Sequence, residues 1–197
     1  MWNIPNLLTL LRLVLIPLFV LAYYLPYAWA HMLATGLFAL AALTDWLDGY
    51  LARRLQQFSA FGAFLDPVAD KLMVAAALVM LLADPQVLPH VLDGRLFAFV
   101  ILVILGREIA VSALREWMAG LGRGSHVAVS LVGKVKTGSQ MVAIPFLIWR
   151  EPIAGLPVFR VGELLLYLAA GLTLWSMMIY LKAAWPSLRE PGSPPKP

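Results

Sequence analysis

Long apolar segments, separated by short segments that contain prolines and charges, make up most of this chain. A helix needs about 20 mainly apolar residues to cross the hydrocarbon core of a bilayer, and six segments approach or reach that length. They are residues 7–24, 31–51, 66–82, 96–118, 134–149 and 164–181. The pattern predicts an all-α integral membrane protein with six transmembrane helices. Pro67 predicts that the third of these helices begins or bends at that point.

The composition supports a membrane location. The chain of 197 residues is 61% hydrophobic, and its mean hydropathy is +0.82, which is well above the range typical of soluble domains. The first apolar segment has no basic region before it and no small-residue cleavage site, so we interpret it as a retained helix. We expect one transmembrane domain over residues 1–185 and a disordered, proline-rich tail over residues 186–197. The absence of cysteine excludes disulfides and thiol catalysis.

The distribution of basic residues predicts the orientation. Six spans place both termini on one side of the membrane. Of the 15 Lys and Arg residues, only Arg95, Arg150 and Arg160 fall on the opposite side. Because cytoplasmic segments carry the excess of positive charge, both termini are predicted to be cytoplasmic.

Two stripes of acidic and small residues mark the second and third predicted helices. The first stripe is Asp45, Asp48, Gly49 and Ala52, and the second is Gly62, Asp66 and Asp70. On a helix that turns about 100° per residue, the residues of the first stripe lie within an arc of about 100°. Successive residues of the second stripe are four positions apart and are rotated by only about 40° around the helix axis. The two helices can therefore point their carboxylates at each other, at the cytoplasmic end of the bundle.

Clustered carboxylates repel one another and resist ionisation unless a cation lies among them. Hard oxygen ligands favour Mg²⁺, Mn²⁺ or Ca²⁺ over zinc. Gly49 and Ala52 leave space beside the acids, and the Arg53 guanidinium is suited to a phosphate. Together these features suggest chemistry on a pyrophosphate. The alternative is that the acids are solvated at helix ends, although acids within a membrane are usually functional.

The residues from Asp45 to Asp70 form the pattern D-x-x-D-G-x-x-A-R-x8-G-x-x-x-D-x-x-x-D. This pattern resembles the signature of the CDP-alcohol phosphatidyltransferases, and every signature position is filled. Residues 3–12, 106–117 and 132–137 resemble the bacterial branch of this family that uses glycerol 3-phosphate as acceptor. The similarity covers nearly the whole chain apart from its tail and the loop after Arg150.

The resemblance implies that an alcohol attacks the phosphate of CDP-diacylglycerol that bears the lipid, and that CMP leaves. It implies Asp45, Asp48 and Asp66 as ligands of one or two Mg²⁺ or Mn²⁺ ions, with Asp70 as a ligand of a second ion, the general base, or both. The expected CDP-diacylglycerol-binding residues are Asn6, Arg12, Asp48, Gly49, Ala52, Arg53 and Gly62. For Arg12 the alternative is a side chain that extends to the membrane surface.

The acceptor is predicted from basic residues at the cytoplasmic ends of the fourth and fifth spans. These residues are Arg107, Arg115, Lys134 and Lys136. So much positive charge favours a phosphorylated acceptor, and glycerol 3-phosphate fits. Two alternatives remain open: the lysines mark only the cytoplasmic boundary, or Arg107 and Glu108 form a purely structural ion pair.

Other functions of the whole chain also remain open. Within the family, the acceptor could be another phosphorylated alcohol or phosphatidylglycerol, the latter making the chain a cardiolipin synthase. Outside the family, a multi-pass transporter could use the same acids to bind a cation, although no paired halves are visible in the sequence. The expected partners are CDP-diacylglycerol, glycerol 3-phosphate and the lipid bilayer, with no nucleic acid. The family resemblance further implies a homodimer in the bacterial inner membrane.

Overall fold

The computed structural model of the chain describes residues 4–55, 60–120 and 131–189. Within that part of the chain the regular elements are six α-helices and one short 3-10 helix, Leu88–His90, and no strand. The α-helices are α1 Ile4–Tyr23, α2 Ala30–Leu55, α3 Ala60–Ala83, α4 Gly94–Gly120, α5 Leu131–Trp149 and α6 Val158–Arg189. The all-α prediction is confirmed for these residues.

Four of the described helices contain a segment long and apolar enough to cross a membrane. These segments are Asn6–Tyr23, Ala30–Leu51, Gly94–Met118 and Val158–Ile179. Helices α3 and α5 are not among the four, and both carry charged residues along their length, such as Asp66 and Lys136. The structure thus supports a membrane protein on the grounds of length and composition.

The helices enclose an apolar core and expose a second apolar surface. Helix α1 packs against α2 and α3, α4 packs against α3 and α6, and α5 packs against α2 and α6. Phe19, Phe38, Leu78 and Ile144 are among the fully buried side chains of this core. Many large apolar side chains on the outer helix faces are nevertheless exposed, such as Leu102. Helices that are apolar all round suit a lipid environment, where such side chains contact acyl chains.

A polar cluster joins three helices at the end of the bundle that holds Arg150. Arg150 follows α5 and pairs with Asp84, which follows α3. The Tyr23 hydroxyl at the end of α1 donates to Asp84 Oδ2 at 2.9 Å and accepts from Arg150 Nη2 at 3.0 Å. Arg150 Nη1 also donates to Gln86 Oε1 at 3.0 Å. These contacts satisfy charges that would otherwise be costly at partly buried helix ends.

Glu163 attaches the segment between α3 and α4 to α6. Its carboxylate is fully buried and accepts from the Leu92 backbone N–H at 2.6 Å and from the Tyr167 hydroxyl at 2.8 Å. Arg160 pairs with the other carboxylate oxygen at 2.9 Å. A buried acid with three partners is a stable feature, because each of its charged oxygens is compensated.

Helices α5 and α6 lie very close together at Gly162. A Cβ built on Gly162 would lie 2.9 Å from Phe146 Cβ and 3.0 Å from the Ala143 carbonyl oxygen. The turn before α6 is tight, with positive φ angles of 49° at Ala154 and 81° at Gly155. The missing side chain of Gly162 therefore lets α6 return directly along α5.

We expect Gly162→Ala to lower the free energy of unfolding by about 1–3 kcal/mol, because the added methyl group must displace α5. The matched control is Gly171→Ala on the same helix, where a Cβ would meet nothing within 4 Å. That control should be neutral or stabilising by up to about 1 kcal/mol, since alanine favours helix. Unfolding in mixed micelles, followed by circular dichroism, gives both values. Equal stabilities of the two variants would contradict the close approach.

The ends of the helices differ from the sequence-based expectation in two places. Helix α3 begins at Ala60, so Pro67 lies inside the helix and not at its start. Helix α6 continues to Arg189 and thus includes the first residues of the expected tail. The alanines and leucine before Pro186 are good helix formers, which explains why the helix extends beyond the apolar segment. Residues 190–197 lie outside the described residues.

Candidate active site

All six helices bring polar residues to one end of the bundle, opposite the Arg150 cluster. Because consecutive helices alternate in direction, this end holds the beginnings of α1, α3 and α5 and the ends of α2, α4 and α6. The buried polar residues in this half are Asn6, Thr9, Arg12, Thr44, Asp48, Arg107, Lys136, Gln140, Thr173 and Ser176. Polar side chains are rarely buried in such numbers without a function or mutual pairing.

Arg12 of α1 lies between the two acids of α2. Its side chain is only 1% exposed. Nη1 is 3.0 Å from Asp45 Oδ1, and Nη2 donates to Asp48 Oδ2. Asp45 and Asp48 are one helical turn apart, so a single guanidinium reaches both. Arg12 is therefore buried among the acids and does not extend to the membrane surface.

Two further residues of α1 follow the same face as Arg12. Asn6, Thr9 and Arg12 are three residues apart and all are buried. The Thr9 hydroxyl donates a hydrogen bond to Asp66 Oδ1 of α3. One face of α1 thus contacts the acids of α2 and the first acid of α3 at the same time.

Three of the four acids contact the same face of α1. Asp45 and Asp48 pair with Arg12, and Asp66 accepts a hydrogen bond from Thr9. Within the described part of the chain, however, no three His, Asp or Glu side chains are placed so that they could jointly hold a metal ion. The contacts with Arg12 and Thr9 account for this arrangement, because they draw Asp45, Asp48 and Asp66 towards α1.

Asp70 faces a small cavity between α3, α4 and α5. The cavity has a volume of about 50 Å³, and its polar lining is Asp70, Lys71, Glu108, Thr137 and Gln140. Lys71 also donates to the Ser112 hydroxyl of α4 and so connects α3 to α4. The last acid of the signature therefore reaches the helices that carry the basic residues.

Glu108 lies between two of the predicted acceptor-binding residues. Lys136 of α5 is 2% exposed and pairs with Glu108 Oε1. Arg107 Nη1 is 3.5 Å from the same oxygen, and Arg107 Nη2 donates to the Ser176 hydroxyl of α6 at 3.0 Å. The structure thus brings Arg107 and Lys136 together around one carboxylate, next to the Asp70 cavity.

Comparison of the chain with known protein families leads to the same family as the residues of this site. The family model of CDP-alcohol phosphatidyltransferase matches residues 2–175. The chain belongs to the CDP-alcohol phosphatidyltransferase family. This confirms the family that the residues from Asp45 to Asp70 predicted.

Curated relatives match the chain over most of its length. A protein of Pseudomonas fluorescens is 53% identical in an alignment that covers 96% of this chain and 94% of the relative. A protein of Salmonella typhimurium is 52% identical over 93% of this chain and 95% of its own length. A protein of Yersinia enterocolitica is 52% identical over 96% and 98%, respectively. All three are named CDP-diacylglycerol–glycerol-3-phosphate 3-phosphatidyltransferase.

The remaining residues predicted for the phosphatidyltransferase site are only partly described. Gly49 is half-buried in α2, and Gly62 is buried near the start of α3. The side chains of Ala52, Arg53, Arg115 and Lys134 lie outside the described residues, although all four positions are helical. Their predicted roles with nucleotide and acceptor stay predictions.

Several contacts in this site were not predicted from the sequence. Among them are the contact of Thr9 with Asp66, that of Glu108 with Lys136, and that of Ser176 with Arg107. The spacing of Asn6, Thr9 and Arg12 was a usable signal, because three-residue steps place them on one helix face. No such spacing could predict the contact of Ser176 with Arg107, because α6 and α4 are distant in the sequence.

Proposed function

We propose that this chain transfers the phosphatidyl group of CDP-diacylglycerol to glycerol 3-phosphate, releasing CMP and forming phosphatidylglycerophosphate. One observation carries the proposal: Asp70 of α3 lines a cavity together with Glu108 of α4, and the Glu108 carboxylate pairs with the buried Lys136 of α5. The names of the curated relatives support this donor and this acceptor.

The acidic residues suit one or two divalent cations. Asp45, Asp48, Asp66 and Asp70 offer only hard oxygen donors, which Mg²⁺ and Mn²⁺ prefer. The burial of the Arg12 guanidinium between Asp45 and Asp48 indicates that these carboxylates accommodate positive charge. We infer that the four acids would bind the metal after exchanging their contacts with Arg12 and Thr9. A bound cation would neutralise the pyrophosphate and stabilise the negative charge that develops on CMP.

The residues of the chain would act on both substrates. We assign Asp70 to accept the proton of the glycerol 3-phosphate hydroxyl as its oxygen attacks the lipid-bearing phosphorus. The bond from that phosphorus to the oxygen of CMP breaks, and CMP leaves with the bonding electron pair. Arg12, released from Asp45 and Asp48, would then be available to the donor phosphates as a buried, permanently charged group.

Arg107 and Lys136 would bind the phosphate of the acceptor. Both are buried, and both lie near the Glu108 carboxylate. We infer that the acceptor phosphate takes up the contacts that Glu108 makes in this structure, since both groups present anionic oxygens to the same cations. Ser176, whose own hydroxyl donates to the Thr173 carbonyl at 2.9 Å, would orient the Arg107 guanidinium from the other side.

We further propose that all six helices cross the bacterial inner membrane, with the site at its cytoplasmic face. The structure places Arg95, Arg150 and Arg160 at the end of the bundle opposite the site. This separation supports the positive-inside assignment. A cytoplasmic site would receive glycerol 3-phosphate from the cytosol, and the lipid donor would enter between helices from the bilayer.

A reconstituted assay tests the reaction directly. Purified protein in mixed micelles should release CMP from CDP-diacylglycerol only when glycerol 3-phosphate is added, and the lipid product should be phosphatidylglycerophosphate. Serine, inositol, glycerol and phosphatidylglycerol serve as alternative acceptors. Faster release with phosphatidylglycerol would favour a cardiolipin synthase, and release with none of the acceptors would overturn the proposal.

Family membership leaves the transporter hypothesis without support.

The homodimer that the family resemblance implied also stays a prediction. Light scattering coupled to size-exclusion chromatography of the purified protein in detergent would measure its oligomeric state. A mass of two chains after subtraction of the detergent is the expected result.

A further inference from the structure

The cavity beside Asp70 contains polar groups that the proposed chemistry does not use. Thr137 and Gln140 of α5 line it together with Asp70 and Glu108, while Val74 and Met141 supply apolar surface. Gln140 is buried, with 5% of its surface exposed. A buried amide has two donors and one acceptor oxygen that a hydroxyl of a substrate can use.

The cavity lies between the two groups that would hold the ends of the acceptor. Asp70 lies on one side of it, and Glu108, the partner of Lys136, lies on another. Lys136 and Gln140 are one helical turn apart on α5, so Gln140 is the next residue inward on the same face. A three-carbon acceptor with its phosphate at Lys136 and its reacting hydroxyl at Asp70 would therefore have its middle carbon near Gln140.

The size of the cavity fits this part of the acceptor. A volume of about 50 Å³ holds a few water-sized groups. That is enough for a carbon with its hydroxyl, which is the middle part of a three-carbon polyol phosphate.

We propose that Gln140 binds the secondary hydroxyl of the acceptor and makes the enzyme selective for glycerol 3-phosphate over phosphorylated alcohols that lack this hydroxyl. The proposal rests on the proposed function, because it assigns a specificity-determining residue for that reaction. Gln140 contributes through its amide group and takes no part in the bond changes at phosphorus.

The experiment compares two acceptors that differ by one oxygen atom. Initial rates of CMP release are measured with glycerol 3-phosphate and with 3-hydroxypropyl phosphate, which lacks only the secondary hydroxyl. For the unmodified protein we expect kcat/KM to be at least about tenfold lower with 3-hydroxypropyl phosphate, because Gln140 is then left without its hydrogen bond. Gln140→Met, of similar shape, should reduce kcat/KM for glycerol 3-phosphate about tenfold and leave that for the analogue nearly unchanged.

Two further variants make the outcome decisive. Ser139→Ala alters the neighbouring residue, which does not line the cavity, and should keep the full preference. Gln140→Asn keeps a buried amide but withdraws it by one methylene, so it should lose the preference even if Gln140→Met fails to fold. A wild-type preference in Gln140→Met or Gln140→Asn would overturn the assignment while leaving the reaction intact. Equal use of both acceptors by the unmodified protein would also overturn it, whereas no release with glycerol 3-phosphate would overturn the proposed function itself.

Discussion

Asp48→Asn is expected to lower kcat by at least about a hundredfold, and EDTA is expected to abolish CMP release until Mg²⁺ or Mn²⁺ is restored. The aspartates of α2 and α3 are a group of hard oxygen donors at the described site, and electrostatic elements of this kind typically contribute a hundredfold or more. Asp45→Asn and Asp66→Asn should behave alike. Initial rates at saturating concentrations of both substrates, over a titration of Mg²⁺, measure the effect.

The control for these variants is Glu116→Gln. Glu116 is exposed near the same end of α4 and undergoes the same change from acid to amide. It should retain full activity and the same Mg²⁺ dependence. Full activity of the unmodified protein in excess EDTA would disprove the metal hypothesis. If Asp48→Asn loses activity without any change in Mg²⁺ dependence, the role of Asp48 would be limited to its contact with Arg12.

The acid stripes of the site were predictable because they depend on helical geometry alone. The four-residue steps from Gly62 to Asp70 place these residues on one face of α3, whatever that helix packs against. The same holds for Asp45 and Asp48. The six helices were predictable from the apolar segments. The observed helices differ from the predicted segments only in where they begin and end, as at Ala60 and Arg189.

The contacts among the polar residues were not predictable, because they depend on which helices are neighbours. Arg12 reaches two acids of α2, and Thr9 reaches Asp66, only because α1 packs against both α2 and α3. The spacing of residues shows which of them share one face of a helix. It does not show which other helix packs against that face. The alternative in which Arg12 extends to the membrane surface was wrong for this reason: two carboxylates inside the bundle are its partners.

The contacts of Arg107 and Glu108 were likewise only partly predictable from the sequence. Because the two residues are adjacent, an ion pair between them was one alternative, and the structure places Arg107 Nη1 3.5 Å from Glu108 Oε1. Glu108 also pairs with Lys136, which is 28 residues away, and Arg107 also contacts Ser176. The two residues therefore also contact α5 and α6, and an ion pair between neighbours describes only part of their contacts.

Lys136→Gln is expected to raise the KM for glycerol 3-phosphate about ten- to a hundredfold while the KM for CDP-diacylglycerol changes little. A charge-assisted contact with a phosphate contributes about 1.5–3 kcal/mol, which corresponds to that range. The matched control is Lys182→Gln, because Lys182 is exposed on α6 near the same end of the bundle. If the lysines served only to mark the cytoplasmic boundary, both variants would insert less efficiently, and the inserted protein would keep its affinity for the acceptor.

A second variant separates the contact with the acceptor from the contact with Glu108. Removing Lys136 alone leaves the Glu108 carboxylate, which is 25% exposed, without its nearest cation. The Glu108 charge, which is then balanced only by Arg107 at 3.5 Å, could itself repel the acceptor phosphate. The double variant Glu108→Gln and Lys136→Gln removes that charge as well. If Lys136 binds the phosphate, the KM for glycerol 3-phosphate stays at least about tenfold raised in the double variant. Recovery of the unmodified KM would instead assign the whole effect to Glu108 and remove Lys136 from the acceptor site.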